Sequence, residues 1–321
     1  MTHSSFLAPL SEELGILHCH GADAEKFLQG QFSNDLTSLP SPGGQWSSYS
    51  TAKGRMIANF YLLRDDDGFW LLLSRDLTET VAERLRKFRL MAKVDIEDAS
   101  ATHALLALWG AGATEALGNP GGEDALARPH AGSVRNGARI VRLPWPEPSF
   151  LILASGDDIA SWGEQLRARG AHEATGADWR LGSIRAGIAF INAATTEQVI
   201  PQELNLEVLG GISFTKGCYP GQEIVARSHY LGRLKNQCYR LRAHAPLAPG
   251  RAIFSAAMGE QSIGLVIQAA AVGDGSFEAL AVVRAEDAEH STLGLEAQGQ
   301  VPLEKLELPY SLPLQKAAEA N

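Results

Sequence analysis

Short apolar runs bounded by turn residues alternate along the chain with stretches of helical period. Such runs are typical of strands buried in a sheet. They occupy residues 14–20, 56–64, 69–74, 94–96, 105–109, 140–143 and 150–154. The Asp-Asp-Asp-Gly segment at 65–68 joins two of them and predicts a hairpin turn, because Asp and Gly suit tight turns. A calcium-binding loop is the alternative, but the other ligands of that motif are missing.

Apolar residues three and four positions apart predict a helix that begins after Asp76, with Glu79 completing a capping box. The buried face of this helix would consist of Leu77, Val81, Leu85 and Phe88. Asp23 predicts the start of a short helix, and further helices are expected near 159–169 and at 222–230. Strands interspersed with single helices indicate an α+β fold with modules of the split βαβ type.

The pattern changes after residue 235, where short β-type runs are separated by Pro-Gly and Gly-Asp-Gly turns. These runs are 239–242, 252–255, 263–267 and 277–283. They predict a small all-β module, most simply a barrel. We therefore expect an α+β region at residues 1–235, itself made of two subdomains, and a C-terminal β-barrel at 236–321. Gly and Pro make 119–132 a predicted surface loop.

The bulk properties exclude several classes of protein. A net charge of −9 and a pI near 5.5 argue against direct binding to nucleic acid or anionic lipid. No apolar stretch approaches the length of a membrane span, and no signal peptide is apparent, so we expect a cytoplasmic protein. The 3 cysteines are scattered, which favours free thiols over disulfides and offers no recognisable site for a metal or an iron–sulfur cluster.

Candidate chemistry is concentrated around Cys218, which lies between Lys216 and a Pro220-Gly221 turn. Pro suits the first corner of a type II turn, and Gly tolerates the positive φ of the second. The turn would hold the thiol near the first free amides of the helix at 222–230. Those amides and the Lys216 ammonium both favour thiolate over thiol, which predicts a reactive cysteine. A small buried residue in a tight loop is the alternative for Cys218, and a solvated side chain is the alternative for Lys216.

Histidines offer weaker candidates. His229 would lie about 10 Å along the helix from the turn, so a direct pair with Cys218 is not expected. His18 and His20 alternate on a predicted strand and would share one face, with Cys19 on the other. A metal site needs more ligands than two imidazoles, and no others are near in sequence, so a structural role is favoured.

Residues 200–227 resemble the signature of a known family. The segment contains Ile-Pro-Gln-Glu-Leu-Asn-Leu, then Gly-Gly-Ile-Ser-Phe, then Lys-Gly-Cys-Tyr. It resembles the YgfZ family of folate-binding proteins, which are related to the aminomethyltransferase (T-protein) of the glycine cleavage system. Gly-Ala-Asp at 21–23, Phe-Leu-Gln-Gly-Gln at 27–31 and Ala-Lys-Gly-Arg at 52–55 are further matches, so the resemblance covers nearly the whole chain.

The resemblance implies a split folate-binding α+β part and a C-terminal barrel arranged around a central opening. It implies tetrahydrofolate or a derivative as ligand, and iron–sulfur client or assembly proteins, including tRNA-modifying enzymes, as partners. Trp179 aligns with a tryptophan assigned to folate binding, although an ordinary core position is the alternative. Lys53 and Arg55 could meet the glutamate tail of the folate or be solvated. Arg185 and Tyr219 are further candidate contacts.

The chain departs from the family pattern at two positions. Leu14 stands in place of a folate-associated tryptophan. Arg185 stands before Ala-Gly where the aminomethyltransferase branch has a glutamate, and a guanidinium cannot accept a hydrogen bond. We favour an accessory protein that supports assembly or repair of iron–sulfur enzymes through Cys218. A tetrahydrofolate-dependent one-carbon (aminomethyl) transferase and a binding scaffold with an inert cysteine are the alternatives, so whether the chain is an enzyme stays open.

Overall fold

The structure, a computed structural model, describes residues 4–118, 125–231 and 234–312. Its strands, in chain order, are β1 (Ser5–Pro9), β2 (Leu14–His20), β3 (Gly43–Ser50), β4 (Met56–Asp65), β5 (Gly68–Ser74), β6 (Asp95–Asp98), β7 (His103–Trp109), β8 (Gly132–Arg135), β9 (Ala138–Arg142), β10 (Ser149–Ser155), β11 (Ala171–Glu173), β12 (Asn236–Ala243), β13 (Ala252–Ser255), β14 (Ser262–Ala271), β15 (Phe277–Arg284), β16 (Leu293–Glu296), β17 (Gln300–Pro302) and β18 (Glu304–Leu306). Its α-helices are α1 (Ala24–Gln29), α2 (Thr78–Phe88), α3 (Ala113–Leu117), α4 (Gly156–Ala168), α5 (Gly176–Arg185), α6 (Gln222–Leu231) and α7 (Ala285–His290). The predicted α+β class is confirmed.

The chain forms two compact units, and both are discontinuous in sequence. The first contains the chain up to Gly30 together with Asp35–Ser47 and Phe60–Trp179. The second contains Gln31–Asn34, Ser48–Asn59 and the chain from Arg180 onward. The domain boundary predicted at residue 235 falls inside the second unit and stays a prediction, as does the central opening.

Two sheets account for the strands upstream of residue 180. One has the order β11-β1-β7-β10-β9-β8 and the other the order β3-β4-β5-β2-β6. Strands β4 and β5 pair in an antiparallel register that sets Asp65 opposite Gly68, so the predicted hairpin is confirmed. Asp65 and Asp67 both form salt bridges with Arg139 on β9, so these two carboxylates stabilise the hairpin turn. Of the predicted loop 119–132, residues 119–124 lie outside the described residues, and 125–131 are mainly turns and bends before β8.

Helix α2 confirms part of its prediction and corrects the rest. Leu77, Val81 and Leu85 are buried as expected, but Phe88 is 60% exposed because it is the last residue of the helix. The predicted cap at Asp76 is also wrong. A 3-10 turn, Arg75–Leu77, precedes the helix, and the Asp76 carboxylate accepts a hydrogen bond from the Ser74 hydroxyl instead.

The C-terminal strands form one antiparallel sheet in the second unit, in the order β17-β16-β13-β14-β15-β12-β18. Apolar residues on one side of this sheet make a core of their own, including Leu241, Ile253, Val266 and Leu293. Burying each such side chain contributes about 1.5–3 kcal/mol. The four predicted β-type runs are therefore confirmed as strands β12 to β15, while closure of the sheet into a barrel is not confirmed. Among the described residues, no helix combines the length and apolar character that crossing a membrane requires.

Candidate functional site

The Cys218 loop, residues 210–221, presents its thiol to solvent. Lys216 is 9% exposed and Tyr219 is 7% exposed, whereas Cys218 between them is exposed. The side chains of Lys216 and Tyr219 are buried and hold the loop on either side of Cys218, while the sulfur of Cys218 is accessible to solvent. The burial alternative for Cys218 is wrong. The predicted helix that follows is confirmed as α6, which begins at Gln222.

A short segment from the other end of the chain, residues 31–34, anchors the Cys218 loop. The Lys216 ammonium donates hydrogen bonds to the carbonyl oxygens of Phe32, at 2.7 Å, and Asn34, at 2.8 Å. The Ser33 hydroxyl donates to the carbonyl of Gly211 at 2.7 Å. Charge-assisted bonds to buried carbonyls are among the stronger ones in proteins. Lys216 is therefore an anchor of the loop, and its predicted effect on the thiolate stays a prediction.

The structure brings together two motifs that lie far apart in sequence. Gly221 has φ +81° and Gly54 has φ +75°, and a Cβ added to Gly221 would lie 2.7 Å from the Gly54 Cα. The two backbones are in contact because neither residue has a side chain. Lys53 and Arg55 flank this contact and are exposed, and Arg55 donates a hydrogen bond to the carbonyl of Gln198. The Lys53–Arg55 turn therefore adjoins the turn that follows Cys218.

Tyr219 carries a buried hydroxyl that has no hydrogen-bond partner among the described residues. The nitrogen of the Lys216 ammonium lies over the Tyr219 ring, 5.3 Å from its centroid. Burial raises the pKa of Tyr219 to about 12, so the phenol stays neutral and can both donate and accept. An unsatisfied buried hydroxyl costs about 1–3 kcal/mol, and a bound polar atom would remove that cost.

His229, on α6, is engaged elsewhere in the second unit. Its Nδ1 lies 2.8 Å from a Glu207 carboxylate oxygen, and its ring stacks on Phe214 at a centroid distance of 3.9 Å. These contacts assign the imidazole to the base of the loop, where Phe214 precedes the Lys-Gly-Cys run. His229 can therefore help to position the Cys218 loop without contacting the thiol.

Trp179 lies in the first unit, near the start of α5. The Thr175 hydroxyl and the Asp178 carboxylate bond to each other and to backbone amides, which begins the helix and fixes the position of Trp179. The Trp179 ring is buried and stacks on Trp145, with a centroid distance of 6.0 Å. Sequence reasoning missed Trp145, although its place between Pro144 and Pro146 signals a rigid, extended presentation.

The Trp145 indole N–H is buried and has no acceptor among the described residues. A buried donor without a partner is costly, so a ligand that supplies an acceptor beside the paired rings would be stabilised there. Of the stacked pair, the ring of Trp145 is partly exposed and the ring of Trp179 is buried. Leu14, which the resemblance sets in place of a folate-associated tryptophan, is buried at the start of β2.

Arg185 does not point a free guanidinium at solvent. Its Nη2 lies 2.9 Å from a carboxylate oxygen of Glu278, which is 4% exposed and also binds Arg240 at 2.7 Å. Burial raises the pKa of Glu278, but the hydrogen bonds from the two guanidinium groups outweigh it, and the net shift is downward. Arg185 therefore neutralises a buried carboxylate 93 residues away in sequence.

The other two cysteines differ from Cys218 in their surroundings. Cys19 on β2 and Cys238 on β12 are buried, and burial raises the pKa of each to about 12. Both are therefore neutral thiols at physiological pH and inaccessible to reagents. Of the three, Cys218 alone is available for chemistry at the surface.

Comparison with known proteins places the chain in a family. No protein-family model matches it. It is 34% identical over 307 residues to the tRNA-modifying protein YgfZ of Edwardsiella ictaluri, covering 94% of this chain and 91% of that protein. It is 33% identical to the protein of the same name from Shigella sonnei, covering 91% of this chain and 89% of the other.

A solved structure resembles the fold over nearly the whole chain. It is the glycine cleavage system aminomethyltransferase T from Bartonella henselae, with a TM-score of 0.74, covering 97% of this chain and 86% of that one. At 18% identity this likeness concerns the fold alone. The sequence identities to the YgfZ proteins extend over more than 90% of this chain, and on that ground this protein belongs to the YgfZ family.

Proposed function

We propose that this protein is a folate-binding accessory protein in tRNA modification, and that it supports the assembly or repair of iron–sulfur enzymes through the thiol of Cys218. Relatives named tRNA-modifying proteins support the first part. The link to iron–sulfur enzymes rests on the resemblance of the cysteine motif to the family signature. The observation that carries the role of the thiol is the exposure of Cys218 on an anchored loop.

The loop supplies what a functional thiol requires. A sulfur on a mobile segment would sample many positions, whereas Lys216 and Tyr219 pin the backbone on both sides of Cys218. The loop is open beside residue 217, since nothing beyond its chain neighbours lies within 4 Å of a Cβ placed there. The thiolate is the reactive form, and the helix that begins at Gln222 offers positive potential close by.

The residues present suit a folate. Trp145 and Trp179 would hold the pterin or benzoyl ring, because the pair offers an aromatic surface and an unused N–H donor. The role predicted for Lys53 and Arg55, which are exposed in the second unit, stays a prediction. Tetrahydrofolate supplies one-carbon chemistry when it is bound; the chain's own groups bind and orient it.

The one-carbon transferase is the alternative, and we do not propose it. That activity is expected to need a carboxylate just before Ala186-Gly187, and Arg185 occupies the position. The carboxylate that Arg185 binds, Glu278, is held by two guanidinium groups. A group bonded in this way is a poor acceptor for a further ligand.

Complementation tests the role of Cys218. Cells that lack the gene are supplied with wild type, Cys218→Ala or Thr215→Ala, and the modified nucleosides made by iron–sulfur enzymes are quantified in total tRNA. We expect Cys218→Ala to resemble the empty vector and Thr215→Ala, a change at an exposed position of the same loop, to resemble wild type. Full activity of Cys218→Ala would overturn the role of the thiol, and the scaffold with an inert cysteine would replace it.

Calorimetric titration tests the ligand. Tetrahydrofolate is titrated into wild type and into Trp145→Phe, which keeps an aromatic ring but removes the N–H. We expect the affinity of the variant to fall about tenfold, the effect of losing one hydrogen bond in a buried site. Equal affinity would remove the tryptophan pair from the proposal, and no binding to wild type would remove the folate.

A further inference from the structure

Two histidines and a glutamate meet on one face of the sheet that contains β2 and β6. His18 and His20 alternate along β2, so their side chains share a face while Cys19 between them is buried on the other. Strand β6 pairs antiparallel with β2 and sets Glu97 directly opposite His18. The cluster therefore arises from strand register, which holds its members more firmly than a loop would.

The distances within the cluster suit one metal ion. Ligand atoms of His18, His20 and Glu97 all lie within 4.8 Å of one another, and His20 Nε2 is 3.7 Å from Glu97 Oε1. Ligand atoms bound at about 2.05 Å in a tetrahedron are about 3.4 Å apart. A bound ion would thus draw the three donor atoms closer together than they are in this structure.

His18 already has the surroundings of a metal-binding imidazole. Its Nε2 lies 3.2 Å from the carbonyl oxygen of Asp67, and a proton donated there leaves the lone pair on Nδ1. Ligating histidines usually donate their second nitrogen to such an acceptor. The ring also stacks on Trp70 at 3.8 Å, which fixes its plane.

The neighbouring charges leave the cluster favourable for a cation. Arg139, the guanidinium over the Trp70 ring, is bound by the carboxylates of Asp65 and Asp67. On the neighbouring strand, Asp95 lies opposite His20 and has Arg89 at 3.6 Å. With these cations paired, the carboxylate of Glu97 supplies the net charge that a bound dication would neutralise.

We propose that His18, His20 and Glu97 form a binding site for a divalent transition metal of the Zn²⁺ type, with a fourth position open to water. Imidazole with a carboxylate suits Zn²⁺ and its neighbours, whereas Mg²⁺ and Ca²⁺ prefer oxygen ligands throughout. Three protein ligands and one water are the arrangement of open zinc sites. The three proposed ligands all lie in the first unit.

Titration of the full chain with Zn²⁺ tests the site, in a Cys218→Ser background so that the exposed thiol cannot compete. The variants are His20→Ala and Glu97→Gln, and the control is His290→Ala, which removes an imidazole 3.8 Å from the Glu289 carboxylate at another surface position. We expect one equivalent of Zn²⁺ to bind, with affinity reduced at least about 10-fold in the two variants and unchanged in the control. Co²⁺ bound in place of Zn²⁺ should show the intense visible bands of tetrahedral coordination.

Glu97 is an exposed residue, so Glu97→Gln keeps the fold and its result stands even if His20→Ala unfolds. Unchanged Zn²⁺ affinity in Glu97→Gln would overturn the site. Loss of binding in His290→Ala as large as in Glu97→Gln would do the same, because it would mean that any surface imidazole beside a carboxylate accounts for the metal.

Discussion

Substitution of Gly221 by Ala should destabilise the turn that holds the Cys218 loop in place. Gly221 has φ +81°, where an L-residue costs about 1–2 kcal/mol. The added Cβ would lie 2.6 Å from the Thr51 carbonyl oxygen and 2.7 Å from the Gly54 Cα, and both are backbone atoms that cannot rotate away. Overpacking of this kind costs about 1–3 kcal/mol. Together these effects lower the free energy of unfolding by about 3 kcal/mol.

The same substitution at Gly217 is the matched control, because it lies in the same loop and a Cβ there meets nothing within 4 Å. Urea unfolding followed by far-ultraviolet circular dichroism measures both variants. We expect Gly217→Ala to stay within about 0.5 kcal/mol of wild type. For Gly221→Ala the free energy of unfolding should fall by about 3 kcal/mol. Equal stability of the two variants would refute the contact between the turns that contain Gly54 and Gly221.

Three further predictions concern charged and polar groups in the second unit. Lys216→Met should lower the free energy of unfolding by about 2–3 kcal/mol, because two carbonyls lose their donor; an equal effect of Lys53→Met would contradict the anchor. Glu278→Gln should cost about 2 kcal/mol at pH 7, since Arg185 is half exposed and the pair is only partly buried. The pKa of Glu278 is lowered from 4.5, so the stabilisation that its carboxylate provides is present above that pH and is lost as acid protonates the carboxylate in the folded state. In urea titrations at a series of pH values, the difference in stability between wild type and Glu278→Gln should therefore vanish at low pH. Tyr219→Phe should leave thermal stability unchanged or raise it by up to about 1 kcal/mol, and a larger loss would mean that the hydroxyl is bonded.

Local signals in the sequence were enough to predict the Cys218 loop. Pro220-Gly221 predicts the turn from φ preferences alone, and the structure has Gly221 in the left-handed region as that turn requires. The helix that follows begins at Gln222 because the turn ends there. Short-range stereochemistry determined these features, so no knowledge of the rest of the chain was needed.

Features that depend on long-range contacts could not be predicted from the sequence. The helical period continues through Phe88, yet the packed face ends one turn earlier, and periodicity does not say what covers a helix. Glu97 becomes a neighbour of His18 only through the register of β2 and β6. The ammonium of Lys216 meets the Phe32 carbonyl across 184 residues, and a loop lysine in isolation reads as solvated.

That last contact has a consequence for synthesis on the ribosome. The carbonyl groups of Phe32 and Asn34 are synthesised early, whereas Lys216, which binds them, is added after about two-thirds of the polypeptide has been translated. A nascent or prematurely terminated chain lacking residue 216 therefore cannot assemble this support, and one that ends soon after it lacks the C-terminal sheet. The anchored position of the Cys218 loop is therefore available only to a chain that has been translated past residue 216.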